Sequence, residues 1–189
     1  MRFFIALELS ETNREQLLVV QQQLKAVIPE AKLTDNDKLH LTIAFIGEQD
    51  EKLKEPLAKI MKQAASGISP FEVTPSYIDG FPHFHTANII WVGVKDDIDK
   101  LYLLRHRIKD QLTELNLEVD ERRYVPHIAI AKVANLHLTK SQENQLTVIM
   151  SRDFDPIEVS AVKLFESIPN HGFHQHNTLA EIPLAVQNQ

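Results

Sequence analysis

The chain has no cysteine. That excludes disulfides and thiolate–zinc sites and fits a reducing cytoplasm, the compartment expected for it. It has no apolar run near the ~20 residues that a membrane span needs, so no membrane association is expected. The opening run Met1-Arg2-Phe3-Phe4-Ile5-Ala6-Leu7-Glu8 is too short for a signal peptide, and polar residues rather than a cleavage site follow it. A basic excess is also missing: Lys and Arg number 20 against 26 Asp and Glu, a formal net charge of −6. Broad binding to a nucleic-acid duplex needs a basic face and is disfavoured, whereas a small phosphate pocket with one or two local cations remains open. What the chain does have is core material, with 43% of its 189 residues hydrophobic. That suffices for one large or two small domains.

Apolar periodicity divides the sequence into strands and helices. Residues 3–9 read as a buried strand. Ser10 is placed to cap the helix that follows, which carries Leu17, Leu18, Gln21, Leu24 and Ile28 at helical spacing and exits at Pro29. Residues 39–46 alternate as a strand ended by Gly47, residues 50–65 form an amphipathic helix, and residues 71–78 form a third strand. The order then recurs: strand 88–94, helix 96–116, strand 125–133, helix 139–150 capped by Thr139, strand 157–165. Ile5 and Trp91 are offset by 86 positions, as are Phe71 and Ile157. This spacing predicts two similar lobes from halves of about 1–80 and 86–184 in one unit of 1–189. A last strand over 177–184 has no counterpart in the first half.

Each half holds one short pattern. His40-Leu41-Thr42-Ile43 and His127-Ile128-Ala129-Ile130 are offset by 87 positions. Residues i and i+2 of a strand share a face, so His40 and Thr42 point one way while Leu41 and Ile43 enter the core. His127 and Ala129 do likewise, and the same alternation sends Phe45 to the core. Two imidazoles on paired strands can face each other across a cleft, one as general acid and one as general base, because a pKa of ~6.5 permits either proton transfer near neutrality.

With these residues in view, the chain resembles the two-histidine phosphoesterases, and within them the bacterial and archaeal RNA 2′,3′-cyclic phosphodiesterases, also called 2′-5′ RNA ligases. The likeness lies in Arg2-Phe3-Phe4-Ile5-Ala6-Leu7, Leu39-His40-Leu41-Thr42-Ile43-Ala44-Phe45-Ile46-Gly47, Gly80-Phe81-Pro82, Trp91-Val92-Gly93 and Pro126-His127-Ile128-Ala129-Ile130-Ala131-Lys132. It runs from residue 2 to about residue 184. It implies an α+β fold of two pseudo-symmetric lobes, each an antiparallel sheet with outer helices, and a cleft between them. The activity it implies is cofactor-free opening of an RNA-terminal 2′,3′-cyclic phosphate to a 2′-phosphomonoester, with His40 as proton donor and His127 as proton acceptor. The reverse reaction, a 2′-5′ ligation, uses the same two groups. The expected partner is an RNA 3′ end or a nucleotide bearing that cyclic phosphate, and the expected state is a monomer, since the apolar stripes leave no surplus face.

Substrate contacts are expected from Thr42, Ala129, Lys132, Phe81 and Tyr124. Two of these positions depart from the family pattern. Ala129 stands where the pattern has threonine, removing one phosphate hydrogen bond of ~1 kcal/mol. Lys132 stands where an arginine is common, keeping charge and losing the bidentate fork. Tyr124 is a candidate for base stacking. Arg122 and Arg123 read as exposed turn charges. His83-Phe84-His85 and His171-Gly172-Phe173-His174-Gln175-His176 have spacings a metal can use, yet sit in apparent loops without a carboxylate beside them. They are expected to be exposed loop histidines, with no metal site, although His174 or His176 could reach RNA phosphate at the cleft mouth. His106 and His137 read as surface positions. Three other readings fit the same residues: a non-catalytic nucleotide binder, favoured by Ala129; a metalloprotein using the loop histidines; and an esterase for another cyclic phosphate or a 2′-5′ linkage.

Overall fold

The computed structural model describes residues 1–120, 122–171 and 173–185; Gly172, in the second histidine-rich segment, lies outside them. The chain runs β1 (Arg2–Glu8), α1 (Glu11–Val27), β2 (Lys32–Leu33), β3 (His40–Glu48), α2 (Lys54–Ala65), β4 (Phe71–Phe81), β5 (Ile89–Asp96), α3 (Ile98–Glu114), β6 (His127–Lys132), α4 (Lys140–Ile149), β7 (Ile157–Val159), β8 (Ala161–Asn170) and β9 (Phe173–Pro183). Two antiparallel sheets form, in the orders β3-β1-β8-β9 and β2-β6-β5-β4-β7. The caps expected at Ser10 and Thr139 are present. Ser10 Oγ accepts from the Asn13 amide at 3.1 Å and Thr139 Oγ1 from the Gln142 amide at 3.1 Å, and each N3 side chain returns a bond to the cap backbone.

The strand–helix order of the repeat is present, but the two sheets are not the two halves. β4, the third strand of the first half, pairs with β5 through the short connection that follows it. Neighbouring strands joined by a short link pair most readily. The expected strand 157–165 breaks at Ser160: β7 pairs with β4 in one sheet and β8 crosses to β1 in the other. The lobes therefore exchange strands, and one continuous apolar cluster joins them, from Phe3, Leu17 and Leu41 to Ile90, Leu104, Ile128 and Leu164. β9 begins four residues earlier than the expected 177, so His174 and His176 belong to a strand rather than a loop.

The register shifts at one matching place in each motif strand, and in β3 a second time at Ile46. Ala6 faces Thr42 and Ile5 faces Ala44, leaving Ile43 as an extra residue. Trp91 faces Ala129 and Ile90 faces Ala131, leaving Ile130 as an extra residue. A β-bulge of this kind shifts the side-chain parity beyond it. Phe45, expected in the core, is consequently 51% exposed and shares the face of His40 and Thr42. Lys132 is turned onto the face of His127 by the same device.

Each bulge is braced by a polar side chain from a helix of the other half. Arg105 of α3 is only 8% exposed and donates to the Ile43 carbonyl at 3.0 Å. Gln21 of α1 is 1% exposed and donates to the Ile130 carbonyl at 2.9 Å and the Thr34 carbonyl at 2.8 Å. A buried carbonyl without a donor costs free energy comparable to a lost hydrogen bond. Arg105→Met and Gln21→Leu keep much of the volume and remove these side-chain donors, leaving the Ile130 carbonyl with the Thr34 amide at 2.9 Å and the Thr34 carbonyl without its Gln21 bond. Each is expected to destabilise the fold by about 1–3 kcal/mol, read as a lower urea midpoint at constant m-value. A midpoint equal to the parent's in both variants would show that the bulges do not need these braces.

Candidate active site

β3 and β6 start with the two motif histidines, and both rings line one cleft of about 430 Å³. Their settings match. His40 Nδ1 lies 2.6 Å from the Lys38 carbonyl and His127 Nδ1 lies 2.7 Å from the Val125 carbonyl, in each case two residues back. A carbonyl can only accept, so Nδ1 carries the proton in both rings and Nε2 is the nitrogen left for chemistry. Ring packing fixes the remaining freedom. His40 stacks on Phe4 at 5.0 Å and meets the edge of His176 at 5.5 Å; Phe4 in turn stacks on Phe165. His127 meets Phe81 edge-on at 5.0 Å and Trp91 at 5.5 Å. Tyr77 closes the back of Trp91, and its ring occupies the space over Gly93, where a Cβ would come within 2.2 Å of it.

The cleft lining sets its electrostatics. Arg2, Lys32, Lys38 and Lys132 bring four permanent positive charges against the single carboxylate of Asp35, in a chain of net charge −6. Lys32 and Lys132 face each other directly across the β2–β6 ladder, an unfavourable like-charge pairing that an anion between them would relieve. Burial pushes the His40 imidazole down to about 4, assisted by the positive potential of His176, His127 and Arg14, while its bond to the Lys38 carbonyl opposes the shift. Burial likewise lowers His127, against the pull of the Val125 carbonyl. His176 is also lowered, by burial first and then by Lys38. The cleft thus favours the neutral form of His40, His127 and His176.

Among the sequence-derived candidates, His40, Thr42, His127, Ala129 and Lys132 meet at this cleft. Two do not reach it. Phe81 packs against His127 and Trp91 from behind. Tyr124 turns away: its hydroxyl donates to the Thr42 carbonyl at 2.9 Å, and its ring lies beneath the Arg105 guanidinium at 5.3 Å. Burial raises its phenol well above the ordinary value. Tyr124 therefore holds β3 in place and offers no face for a base. Phe45 offers one: it is exposed on the cleft, with the Arg2 guanidinium 5.1 Å from its ring centre.

His174 and His176 also line the cleft, which alternation over residues 174–176 could have indicated had β9 been read as starting earlier. Among the described residues, no three His, Cys, Asp or Glu side chains are grouped to hold a metal, and no helix is long and apolar enough to cross a membrane. His83 and His85 are exposed at a short turn, with ring centres 6.3 Å apart. Arg122 is exposed and tied to Asp120. A further cavity of about 500 Å³ lies at the start of α1, away from both motif histidines, and the lysine lining it, Lys163, is bound to Glu8.

The family model described as the 2′-5′ RNA ligase superfamily matches residues 22–165. A protein of Methanocaldococcus jannaschii called RNA 2′,3′-cyclic phosphodiesterase is 30% identical over 167 residues, covering 88% of this chain and 91% of its own length. One of the same name from Thermotoga maritima is 28% identical over 163 residues, covering 85% of this chain and 82% of its own. Among solved structures, TT0787 of Thermus thermophilus aligns with a TM-score of 0.77 at 19% identity, covering 97% of this chain and 98% of its own. LigT of E. coli in complex with 3′-AMP aligns with a TM-score of 0.75 at 20% identity, covering 98% of each chain.

Neutral buried histidines carry a sign for stability. The folded-state pKa values lie below the unfolded ~6.5, so the unfolded chain takes up protons first as pH falls. The stability tied to His40 is present in full above about 6.5 and is lost as pH drops towards about 4. Urea unfolding is expected to show a smaller loss between about pH 7 and about pH 5 in His40→Gln than in the parent. Equal losses would mean that His40 is not held neutral by burial.

Proposed function

The chain belongs to the 2′-5′ RNA ligase superfamily, and from that premise we propose that it is an RNA 2′,3′-cyclic phosphodiesterase whose acid and base are His40 and His127. The observation that carries this reading is the pair of Nδ1–carbonyl bonds, which present two Nε2 atoms of the same tautomer to one cationic cleft. The relatives that bear this name, and the nucleotide complex of a protein with the same fold, support the substrate class.

The chemistry follows from the groups present. The cyclic phosphate sits between the two imidazoles, with its non-bridging oxygens towards the Thr42 hydroxyl and Lys132. His127 takes a proton from water, whose oxygen bonds to phosphorus. His40 gives a proton to the departing 3′ oxygen, leaving a 2′-phosphomonoester. The proton roles follow the family likeness. Burial works against a charged His40 in the empty cleft, and the substrate's own negative charge offsets this, because an anion beside an imidazole favours the protonated form. Phe45 is the exposed aromatic surface for the terminal base. Ala129 leaves one phosphate oxygen without the hydroxyl that Thr42 supplies on the other strand.

Three measurements test this. His40→Ala and His127→Ala are each expected to lower turnover of a nucleoside 2′,3′-cyclic phosphate by about 10²–10⁴-fold; undiminished turnover in either rejects the pair. Absence of turnover by the unmodified protein, with nucleotide binding retained, would make it a binder instead. The kcat/KM profile is expected to be bell-shaped with its maximum on the acidic side of 6.5, because kcat/KM reports the free enzyme, whose imidazoles are both lowered. The kcat profile should lie at higher pH, since the bound anion raises them. A kcat/KM maximum above neutrality would contradict the desolvated pair. Ala129→Thr restores a donor on the cleft face and is expected to raise kcat/KM by about three- to tenfold; an unchanged or lower value would show that the cleft is built around the missing hydroxyl.

A further inference from the structure

The β1, β8 and β9 strands contribute groups to the cleft that the two-histidine chemistry leaves unused. Arg2 faces Ser167 across the β1–β8 ladder, and Ser167 faces His176 across β8–β9. All three line the cleft, so one cross-strand row presents a guanidinium, a hydroxyl and an imidazole side by side. His174, two residues along β9 on the same face, places Nδ1 3.2 Å from Ser167 Oγ. The row sits beside the reacting centre without being part of it: the His176 ring centre is 5.5 Å from that of His40, and its nearest ring is Phe4 at 4.9 Å. Arg2 also lies over Phe45 of the motif strand β3, so one member of the row packs on the exposed aromatic surface.

Arg2 also faces Glu48 across the β1–β3 ladder, but Glu48 is not among the residues that line the cleft, and the guanidinium, hydroxyl and imidazoles presented there suit a second phosphate group. A mononucleoside cyclic phosphate has only one. In an RNA chain the next phosphodiester lies one nucleotide upstream, and a 5.5 Å separation between imidazole centres is within one step of an extended strand. We propose that Arg2, Ser167 and His176, with His174, form a subsite for the phosphodiester immediately upstream of the cyclic phosphate, which makes oligoribonucleotide ends rather than free mononucleotides the favoured substrates. This rests on the phosphodiesterase reading above and specifies its substrate. It also accounts for how a chain of net charge −6 engages a polyanion: the contact is confined to a cleft whose lining sets Arg2, Lys32, Lys38 and Lys132 against one carboxylate.

The test compares a uridine dinucleotide ending in a 2′,3′-cyclic phosphate with uridine 2′,3′-cyclic phosphate. The parent is expected to favour the dinucleotide by about tenfold in kcat/KM, the scale of one charge-assisted contact. Its log kcat/KM should fall more steeply with log salt for the dinucleotide, by about one further unit of slope. His176→Gln and the double variant Ser167→Ala with His174→Gln should each collapse that preference. Equal losses on both substrates would overturn the subsite and make His176 a positioning residue for His40; no preference in the parent would also overturn it. A binding arm uses the corresponding 2′-phosphorylated dinucleotide and mononucleotide. If neither cyclic substrate is turned over, the phosphodiesterase reading fails, and tighter dinucleotide binding lost in the variants still upholds the subsite, whereas equal affinities dismiss it. Thermal unfolding midpoints of the variants confirm that any loss is not unfolding.

Discussion

One short hydrogen bond, made twice, decides what this cleft can do. A carbonyl two residues before each motif histidine holds Nδ1 at 2.6 or 2.7 Å. With Nδ1 committed as a donor, the neutral ring has a single basic nitrogen, and its direction is set by the backbone rather than by a mobile partner. Had either ring been held by a carboxylate instead, the charged form would be stabilised at all times. A carbonyl opposes the burial shift only in part, so both rings remain below their ordinary values in the empty cleft. The geometry therefore fixes the tautomer and leaves the proton count open to what enters.

The backbone that makes this possible is irregular at one matching point in each lobe. Leu41 and Ile128 are wholly buried, as alternation requires, but Ile43–Ala44 and Ile130–Ala131 are buried in succession. The extra residue lets each strand keep its histidine and its fifth following residue on one face. That is how Phe45 and Lys132 join the cleft. An unpaired strand residue leaves a carbonyl to satisfy, and side-chain donors come from α3 for one bulge and from α1, beside the Thr34 amide, for the other. With β4 and β8 also exchanged between sheets, each half braces the motif of the other. A change in the relative position of the sheets would then break buried hydrogen bonds as well as apolar contacts, which ties the cleft to the integrity of the whole core.

This explains what could and could not be read from residues alone. The two histidine motifs, the helices and their caps at Ser10 and Thr139 are local signals, and they stand where periodicity put them. The side-chain parity of Phe45 depends on a bulge, and the hint for it, two adjacent aliphatic residues after each motif, does not by itself say which residue is extra. The strand exchange depends on pairings between residues such as Phe4 and Phe165, far apart in sequence. Tyr124 looked like a platform for a base because aromatic residues near a motif often are. Its burial follows from Arg105, on a helix that periodicity assigned only an apolar stripe. Gln21 on α1 was similarly hidden: a polar residue on an apolar face is a brace when a carbonyl waits opposite, and the sequence does not show the carbonyl.

The aromatic walls and nearby cations disfavour charged rings. Phe4, Phe81 and Trp91 pack on the imidazoles of His40 and His127, and burial is the first cause of the lowering in each; Arg14 adds positive potential at His40 and Lys38 at His176. A phosphate group reverses the second effect, since its charge cancels that of the lysines and attracts a proton to whichever imidazole it touches. Proton uptake and anion binding are then linked: the same interaction that raises a histidine's pKa must, by an equal free energy, strengthen binding of the anion as pH falls. On the proposed reading, such a cleft becomes a competent acid–base pair when a phosphate enters it. On the same proposed reading, Ala129 and Lys132 bear on how tightly that phosphate is held, whereas the coupling resides in the two rings, their carbonyls and the low-polarity walls behind them.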